Sequence, residues 1–234
     1  VLRTTTTTIQ RKILFNAAVC YDFHRTNLSK WKRQAKPRFQ MDELETFEEQ
    51  KGNTIKIPIV IEKDSHFIVE MEALRDWSRS QYPKVKNEYN AKHRFEIQQK
   101  TSRFKEVIKA CVAMKPTGRI VIETDKYKSY PTIIEMAAGE SGVHVQYDAG
   151  VEAQKKELFP INNVCACLRS DAAALRRRSW HVTKSKVMLN AKLKIYLFYS
   201  NYLKPKNYKI DGKLVKQTPA MHLGIFKRPV VWAY

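Results

Sequence analysis

RFQMDELETFEEQKGNTIKIPIVIEKDSHFIVEMEA, residues 38–73, contains three short stretches in which apolar residues predominate or alternate with polar ones. Alternation with a period of two residues is typical of β-strands, and the polar KDS between the second and third stretches is typical of a turn. We therefore predict three strands in succession, at about 38–48, 55–62 and 66–73, joined as hairpins.

Helical and strand patterns alternate downstream of these strands. We predict a helix over SRFKEVIKACVAMK, a buried strand that ends at Asp125, a short helix closed by Gly139, and a fifth strand over GVHVQYDA. Two further helices are predicted at about 161–178 and 184–203. Three hairpin-linked strands followed by alternating helices and strands are typical of an α/β fold with a mixed sheet.

Positive charge is concentrated at two places along the chain. The 234 residues carry a formal net charge of +20, of which residues 155–216 contribute +12 and residues 1–40 contribute +8. Residues 41–154 contribute −2. Such a charge favours a polyanion as partner, either nucleic acid or an acidic membrane surface. We expect the two basic segments, 1–40 and 155–216, to bind a polyanion, while the near-neutral segment 41–154 has a different function.

The cysteines and the hydropathy exclude several classes of protein. The four cysteines and six histidines do not form a zinc-binding pattern, and they favour a reducing compartment over a disulfide framework. No apolar run approaches the length of a membrane span, and no secretory signal is present. We expect no membrane partner.

Two acidic residues interrupt apolar strand patterns. Asp42 lies in the first predicted strand, and Asp125 ends the fourth. A buried acid is costly unless it is paired or binds a cation, and Mg²⁺ prefers oxygen ligands. One acid on the first strand and one on the fourth, in this strand order, is what a ribonuclease-H-like fold uses to bind a divalent metal. The positions equally suit ordinary acids at strand ends.

Segments in the middle of the chain resemble one known family. FQMDELETFE (39–48) and ETDKYKSYPTII (123–134) are similar to the first- and second-aspartate motifs of DDE-type insertion-sequence transposases of bacteria and archaea. FPINNVCACLRSDAAALRRRSWHVTKSKVMLNAKLKIYLFYSNY (159–202) is similar to their third block, an Arg-rich helix followed by a long amphipathic helix. The order and spacing of these segments together carry the resemblance.

The two ends of the chain extend the same resemblance. TTIQRKILFNA (7–17) resembles the end of the helix-turn-helix that precedes the catalytic domain in these transposases. TPAMHLGI (218–225) resembles a short tail motif of integrase and transposase chains. The resemblance therefore extends from about residue 4 to residue 226.

The resemblance implies a fold, an activity and partners. The fold would be a ribonuclease-H-like mixed sheet flanked by helices and preceded by a helical DNA-binding remnant. The enzyme would use two Mg²⁺ or Mn²⁺ ions to cut double-stranded DNA at the ends of an element and to join the new 3′ hydroxyl to a target. It would act as a homodimer or larger synaptic assembly, associated with the nucleoid in the cytoplasm.

The third acidic position of the family is not matched by an acid. By analogy, Asp42 and Asp125 are the first two acids, and Asn162 is the best match to the third catalytic position. An asparagine oxygen can ligate Mg²⁺ but brings no negative charge. Glu123 shares a strand face with Asp125 and is a further candidate metal ligand. Glu157 precedes the helix and is another acid that could substitute.

Basic residues are expected to hold the DNA backbone. Arg169 and Arg176 are seven residues apart, hence nearly on one helical face, and phosphate contacts from such a row would make binding sensitive to salt. At the N-terminus, Arg11 and Lys12 would contact phosphates or base edges in a DNA-reading helix, or would lie on a helical arm that only packs on the catalytic domain. The predicted DNA-binding residues are Arg11, Lys12, Arg169, Arg176, Arg177, Arg178, Lys184 and Lys186.

The predicted organisation has three parts. Residues 1–36 form a basic helical remnant, residues 37–204 form the catalytic domain with a polar insertion or connection at 75–100, and residues 205–234 form a tail. The leading hypothesis is an active transposase. One alternative is an impaired or domesticated descendant that only binds DNA, and another is a basic RNA-binding protein without an active site. The strand-end acids disfavour the RNA-binding protein, and the third acidic position separates the first two.

Overall fold

The computed structural model describes residues 5–31, 37–114, 119–147, 156–175 and 183–231. A mixed sheet lies at the centre of the described chain, with strand order β3-β2-β1-β5-β6. The first three strands pair antiparallel, β5 runs parallel to both β1 and β6, and the two-residue β4 pairs with β2. The strands are β1 (Arg38–Phe47), β2 (Thr54–Glu62), β3 (Ile68–Met71), β4 (Leu74–Arg75), β5 (Ile120–Asp125) and β6 (Gly142–Tyr147).

Helices cover both faces of this sheet. On one face α1, α3 and α4 share a core with Phe39 and Met41, and on the other face α5 and α6 share a core with Leu44. The predicted α/β class, with a mixed sheet flanked by helices, is confirmed. The helices among the described residues are α1 (Thr6–Leu28), α2 (Pro83–Gln98), α3 (Lys100–Met114), α4 (Tyr130–Ala138), α5 (Phe159–Asp171), α6 (Lys186–Phe198) and the short α7 (Pro219–His222).

The first helix is capped by a threonine. The hydroxyl of Thr5 accepts a hydrogen bond from the backbone N–H of Thr8, which satisfies one of the free donors at the helix start. From Ala17 onwards one side of α1 is buried, and Cys20 and Leu28 belong to the same core as the sheet. The hydrophobic core therefore includes residues on both sides of the domain boundary predicted at residue 36. The role of residues 1–36 in DNA binding stays a prediction.

Two segments have more regular structure than the sequence indicated. The polar segment 75–100 contains α2, of which only Tyr89 and Ile97 are buried. The tail contains a hairpin of β7 (Lys206–Ile210) and β8 (Lys213–Gln217), joined by Asp211 and Gly212, both with positive φ. This turn geometry fits a two-residue hairpin.

α6 shields the outer edge of β3. The side-chain amide of Asn201 accepts from the backbone N–H of Ile68 at 2.8 Å and donates to its carbonyl at 2.7 Å. Asn190 makes the same pair of bonds with Ala73, at 2.6 and 3.2 Å. Asn201 lies in a π-helical turn, Tyr199–Leu203, that continues α6. The two amides thus satisfy backbone groups at an edge that would otherwise be open.

Candidate active site

Asp42 and Asp125 lie on neighbouring parallel strands. The register pairs Arg38 with Val121 and Gln40 with Glu123, and two more residues along each strand lead to Asp42 and Asp125. Neighbouring strands are about 4.8 Å apart. Because alternate residues of a strand point to opposite faces, both acids lie on the side of the sheet that α5 covers. The structure therefore brings the two sequence-predicted acids together.

The negative charges of the two carboxylates repel each other, and this affects the pKa of Asp42. Burial raises the pKa of Asp42, and the negative charge of Asp125 raises it further. The N–H of Glu43, 2.7 Å from Asp42 Oδ1, and the positive charge of Arg169 act in the opposite direction. A cation between the two acids would relieve their repulsion.

Tyr130 adds a neutral phenol to the core on the other face of the sheet, within range of the charges of the acids. It is the first residue of α4 and is buried. Burial raises the pKa of its hydroxyl, and the charges of Glu43, Asp42 and Asp125 raise it further. Tyr130 therefore stays protonated and can donate a hydrogen bond at this end of the sheet.

On α5, the side chain that meets Asp42 is Cys165. Its Sγ lies 3.9 Å from Asp42 Oδ2, a weak hydrogen bond. Burial and the charge of Asp42 raise the pKa of the thiol, so it remains protonated. Asn162 lies about one turn earlier on α5, and its side chain is exposed. The amide of Asn162 forms no hydrogen bond with another described residue, so its predicted catalytic role stays a prediction.

Arg169 lies one turn beyond Cys165 on the same side of α5. Its Nε is buried and has no hydrogen-bond partner. Its positive charge acts to lower the pKa of both Asp42 and Cys165, which is consistent with a guanidinium near these two side chains. Among the described residues it forms no ion pair. Within the described ranges, Arg169 is thus a cation without an ion pair on the side of α5 that faces Asp42.

Glu123 is fully buried, but its carboxylate is already neutralised. Arg38 and Lys63 both form ion pairs with it, and Gln40 Nε2 donates to its Oε2 at 2.8 Å. Lys63 also pairs with Glu157 at 2.7 Å. Two cations are therefore already held by Glu123 and Glu157, an arrangement that does not favour either acid as a metal ligand.

Gln40 connects this ionic cluster to α5. Its Oε1 accepts the backbone N–H of Ile161 at 3.1 Å, and its Nε2 donates to the backbone carbonyl of Glu157 at 2.6 Å as well as to Glu123. Gln40 is fully buried on β1 and lies two residues before Asp42. The cluster therefore fixes the start of α5 against β1, and with it the position of Cys165 opposite Asp42.

The donor set suits one divalent ion. In each aspartate one carboxylate oxygen accepts a backbone N–H: Glu43 donates to Asp42, and Tyr127 donates to Asp125 Oδ1 at 3.3 Å. The second oxygen of Asp125 can face a cation, and that of Asp42 could do so beside the weak contact from Cys165. Mg²⁺ is commonly held by one or two carboxylates with waters and substrate phosphate. Within the described ranges, no three His, Cys, Asp or Glu side chains gather as a metal site. A second ion therefore has no third acid in that part of the chain.

The predicted DNA-binding residues differ in their surroundings. Arg11, Lys12 and Lys184 are exposed. Lys186 is held by Glu96 in an ion pair, and its backbone N–H donates to Glu48 at 2.7 Å, so its ammonium is not free for a phosphate. Arg176, Arg177 and Arg178 lie outside the described residues.

Cys165 and Tyr130 were not singled out by the sequence as site residues. Cys165 belongs to an apolar helical pattern and has no partner at zinc-ligand spacing. Tyr130 lies within the motif that resembles the second-aspartate segment, five residues after Asp125. That spacing was a signal for Tyr130, and no comparable signal marked Cys165.

Among known proteins, similarity to this chain is found in solved structures. No protein-family model matches the chain, and no curated protein matches it. No described helix has the length and apolar character that crossing a membrane requires. A chain from the cryo-EM structure of the simian T-cell lymphotropic virus intasome in complex with PP2A regulatory subunit B56 gamma is similar, with a TM-score of 0.47 and 11% identity. The match covers 87% of the present chain and 60% of that chain.

Proposed function

We propose that this protein is a DNA transposase that cuts and joins DNA strands at the site formed by Asp42 and Asp125. The observation that carries the proposal is the placement of these two acids on adjacent parallel strands, where their charges repel and a cation would relieve the repulsion. Mg²⁺ or Mn²⁺ bound there would supply Lewis-acid activation of a phosphodiester.

The residues of the chain supply the remaining requirements. The net charge of +20 favours a polyanionic substrate, and the basic segments 1–40 and 155–216 flank the acids in sequence. The substrate would be double-stranded DNA at the ends of an element and at a target, bound by two or more copies of the chain.

A second candidate function is DNA binding without strand cleavage. The observation that favours it is the side chain at the third position of the family pattern: Asn162 carries no charge, and no acid on α5 contacts Asp42 among the described residues. Such a protein would retain the basic surfaces and bind metal weakly.

The two candidates differ in Mg²⁺-dependent nicking of supercoiled plasmid DNA. We expect the wild-type protein to nick, and Asp42→Asn or Asp125→Asn to lower the rate at least about 100-fold, since each removes one of two charged ligands. Asp171→Asn is the matched control, because Asp171 lies at the end of α5 and pairs with Lys204 at 3.0 Å. It should nick at the wild-type rate.

Asn162→Glu tests the third position directly. If a helix-borne acid can complete the site, this variant nicks faster than wild type at limiting Mg²⁺, because a third carboxylate strengthens metal binding. The measurement is the Mg²⁺ concentration at half-maximal nicking. Tight DNA binding without nicking, in both wild type and Asn162→Glu, would support the DNA-binding descendant instead.

A further inference from the structure

The negative charges of the acids and the positive charges of the metal ions do not balance at this site as they would in a site with three acids. Three carboxylates carry three negative charges and two divalent ions carry four positive ones, which leaves one positive charge for the phosphate that reacts. Asp42 and Asp125 carry two negative charges, and one divalent ion neutralises them. The single negative charge of a phosphodiester then needs another cation.

We propose, on the basis of the transposase function above, that Arg169 binds the scissile phosphate and supplies the positive charge that a second metal ion would bring. The site would thus use one divalent ion and one arginine. Arg169 would be a catalytic residue, rather than one of several residues along the DNA backbone.

The geometry of α5 places Arg169 on the side of the helix that faces Asp42. Cys165 touches Asp42 Oδ2 at 3.9 Å, and Arg169 follows four residues later on the same side of the helix, about 6 Å further along its axis. An arginine side chain can span that distance back towards the acids. Its guanidinium charge acts on both Asp42 and Cys165.

The guanidinium is also available. Its Nε is buried without a hydrogen-bond partner, although such a group normally has one. Two other basic residues already form ion pairs: Lys63 pairs with Glu123 and Glu157, and Lys186 pairs with Glu96. Arg169 forms no ion pair of 4 Å or less with any residue in the described ranges. A structural ion pair with Asp42 is therefore not what holds it there.

The chemistry of guanidinium suits the role. It is charged at all accessible pH values, and its planar fork can donate two parallel hydrogen bonds to phosphate oxygens. In hydrolysis, a water oxygen bonds to phosphorus while the bond from phosphorus to the 3′ oxygen breaks. The water loses a proton to solvent, and the 3′ oxygen leaves as a hydroxyl after taking one. Arg169 would stabilise the phosphate oxygens throughout and would be neither consumed nor deprotonated.

The test compares Arg169→Gln and Arg169→Lys with Arg94→Gln, which removes an exposed arginine of α2. We expect Arg169→Gln to lower single-turnover nicking about 100-fold or more, as loss of one preorganised donor does elsewhere. Arg169→Lys should recover part of the rate, since it restores the charge without the fork. Arg94→Gln should match wild type.

Metal binding gives a readout that is independent of activity. Removal of a cation beside Asp42 should leave Mg²⁺ affinity equal or higher, measured by calorimetry without DNA. Loss of Mg²⁺ binding in Arg169→Gln would show that the arginine only maintains the structure, and would overturn the inference.

A substrate with a neutral group at the scissile position distinguishes stabilisation of the phosphate charge by Arg169 from a contribution of Arg169 to DNA binding. A methylphosphonate placed at the position where wild type cuts removes the negative charge, so wild type and Arg169→Gln should react at similar rates on it. Wild-type protein that nicks no DNA with Mg²⁺ would overturn the proposed function and this inference together. Wild type that nicks, with Arg169→Gln equally fast, would overturn the inference alone.

Discussion

Asp42 combines burial with a like-charged neighbour, and both effects disfavour its carboxylate form. Its raised pKa means that the folded protein holds a proton at Asp42 more tightly than the unfolded chain does. The resulting stability is present at pH values below the unfolded pKa and is lost as the pH rises through the folded pKa. At neutral pH the ionised side chain therefore destabilises the fold in the absence of a cation.

We predict that Asp42→Asn raises the melting temperature at pH 7 without metal, while it abolishes the stabilisation that Mg²⁺ gives to wild type. Asparagine has nearly the same shape but no charge, so the repulsion by Asp125 disappears together with the metal ligand. Scanning calorimetry with and without Mg²⁺ measures both effects. A wild-type melting temperature that does not respond to Mg²⁺ would contradict the prediction, and Asp171→Asn serves as the control that keeps the response.

The sequence identified Asp42 and Asp125 because an acid in an apolar strand is conspicuous. It did not identify Cys165, because a cysteine in an apolar helical pattern looks like any core residue. The charge relation of Arg169 to Asp42 depends on how α5 is aligned with β1. Gln40 fixes that alignment through contacts that join residues far apart in the chain, such as Gln40 with Ile161 at 3.1 Å, and no local pattern encodes them.

At the scale of elements, α1 has two different halves. Its second half is anchored by His24, which is fully buried and bonds Tyr202 Oη at 3.0 Å and the carbonyl of Val69 at 2.9 Å. Its first half is exposed and carries Arg11 and Lys12 together with exposed Leu14 and Phe15. The docked half fits a packing arm, and the exposed half leaves basic residues available to DNA.

We predict that this docking weakens in acid. Burial lowers the pKa of His24 to about 4, against about 6.5 in the unfolded chain. Its contribution is complete above pH 6.5 and is lost as the pH falls towards 4, because the unfolded chain then binds the proton more tightly. The shift corresponds to about 3 kcal/mol by pH 4.

Urea unfolding at a series of pH values from 7 to 4 measures this loss. His24→Asn should be less stable at pH 7 but should show a flatter decline with acid. His66→Asn is the comparison variant, because burial also lowers the pKa of His66 to about 4. His66 lies in a turn with φ of 57°, a backbone conformation that asparagine tolerates. Identical pH slopes for wild type and His24→Asn would refute the assignment.

Elements with strong periodicity were predictable, and those without it were not. β1, β2 and β3 follow the alternation of 38–73 closely, and α3 follows its apolar face. α2 was not predicted because it buries only Tyr89 and Ile97, too few for a helical period to be visible. In the tail, Asp211 and Gly212 are a standard hairpin signal, but the strands beside them are too polar for alternation to stand out.

On the scale of the whole molecule, DNA binding should depend on the basic residues near the N-terminus. We predict that Arg11→Glu combined with Lys12→Glu weakens binding to the ends of the element more than to random duplex of the same length. It should also reduce the slope of log K against log salt by about 2, as expected for two lost phosphate contacts. Fluorescence anisotropy over a salt series gives both quantities.

The matched control is Lys84→Glu combined with Lys86→Glu, which makes the same charge change on the exposed surface of α2. It should lower affinity for both DNAs equally. An equal loss on both DNAs for the Arg11 and Lys12 variant would mean that α1 makes only nonspecific phosphate contacts.

Asn190 of α6 and Asn201 of the π-helical turn after it have a consequence for how copies of the protein can meet. Asn201 and Asn190 occupy the backbone groups of Ile68 and Ala73 at the outer side of β3. A strand from another molecule finds no free ladder there, so this side of the sheet resists the edge-to-edge growth that leads to fibres. Contact between two copies on this side of the sheet would therefore be made by side chains of α6 and the turn after it rather than by a shared β-ladder.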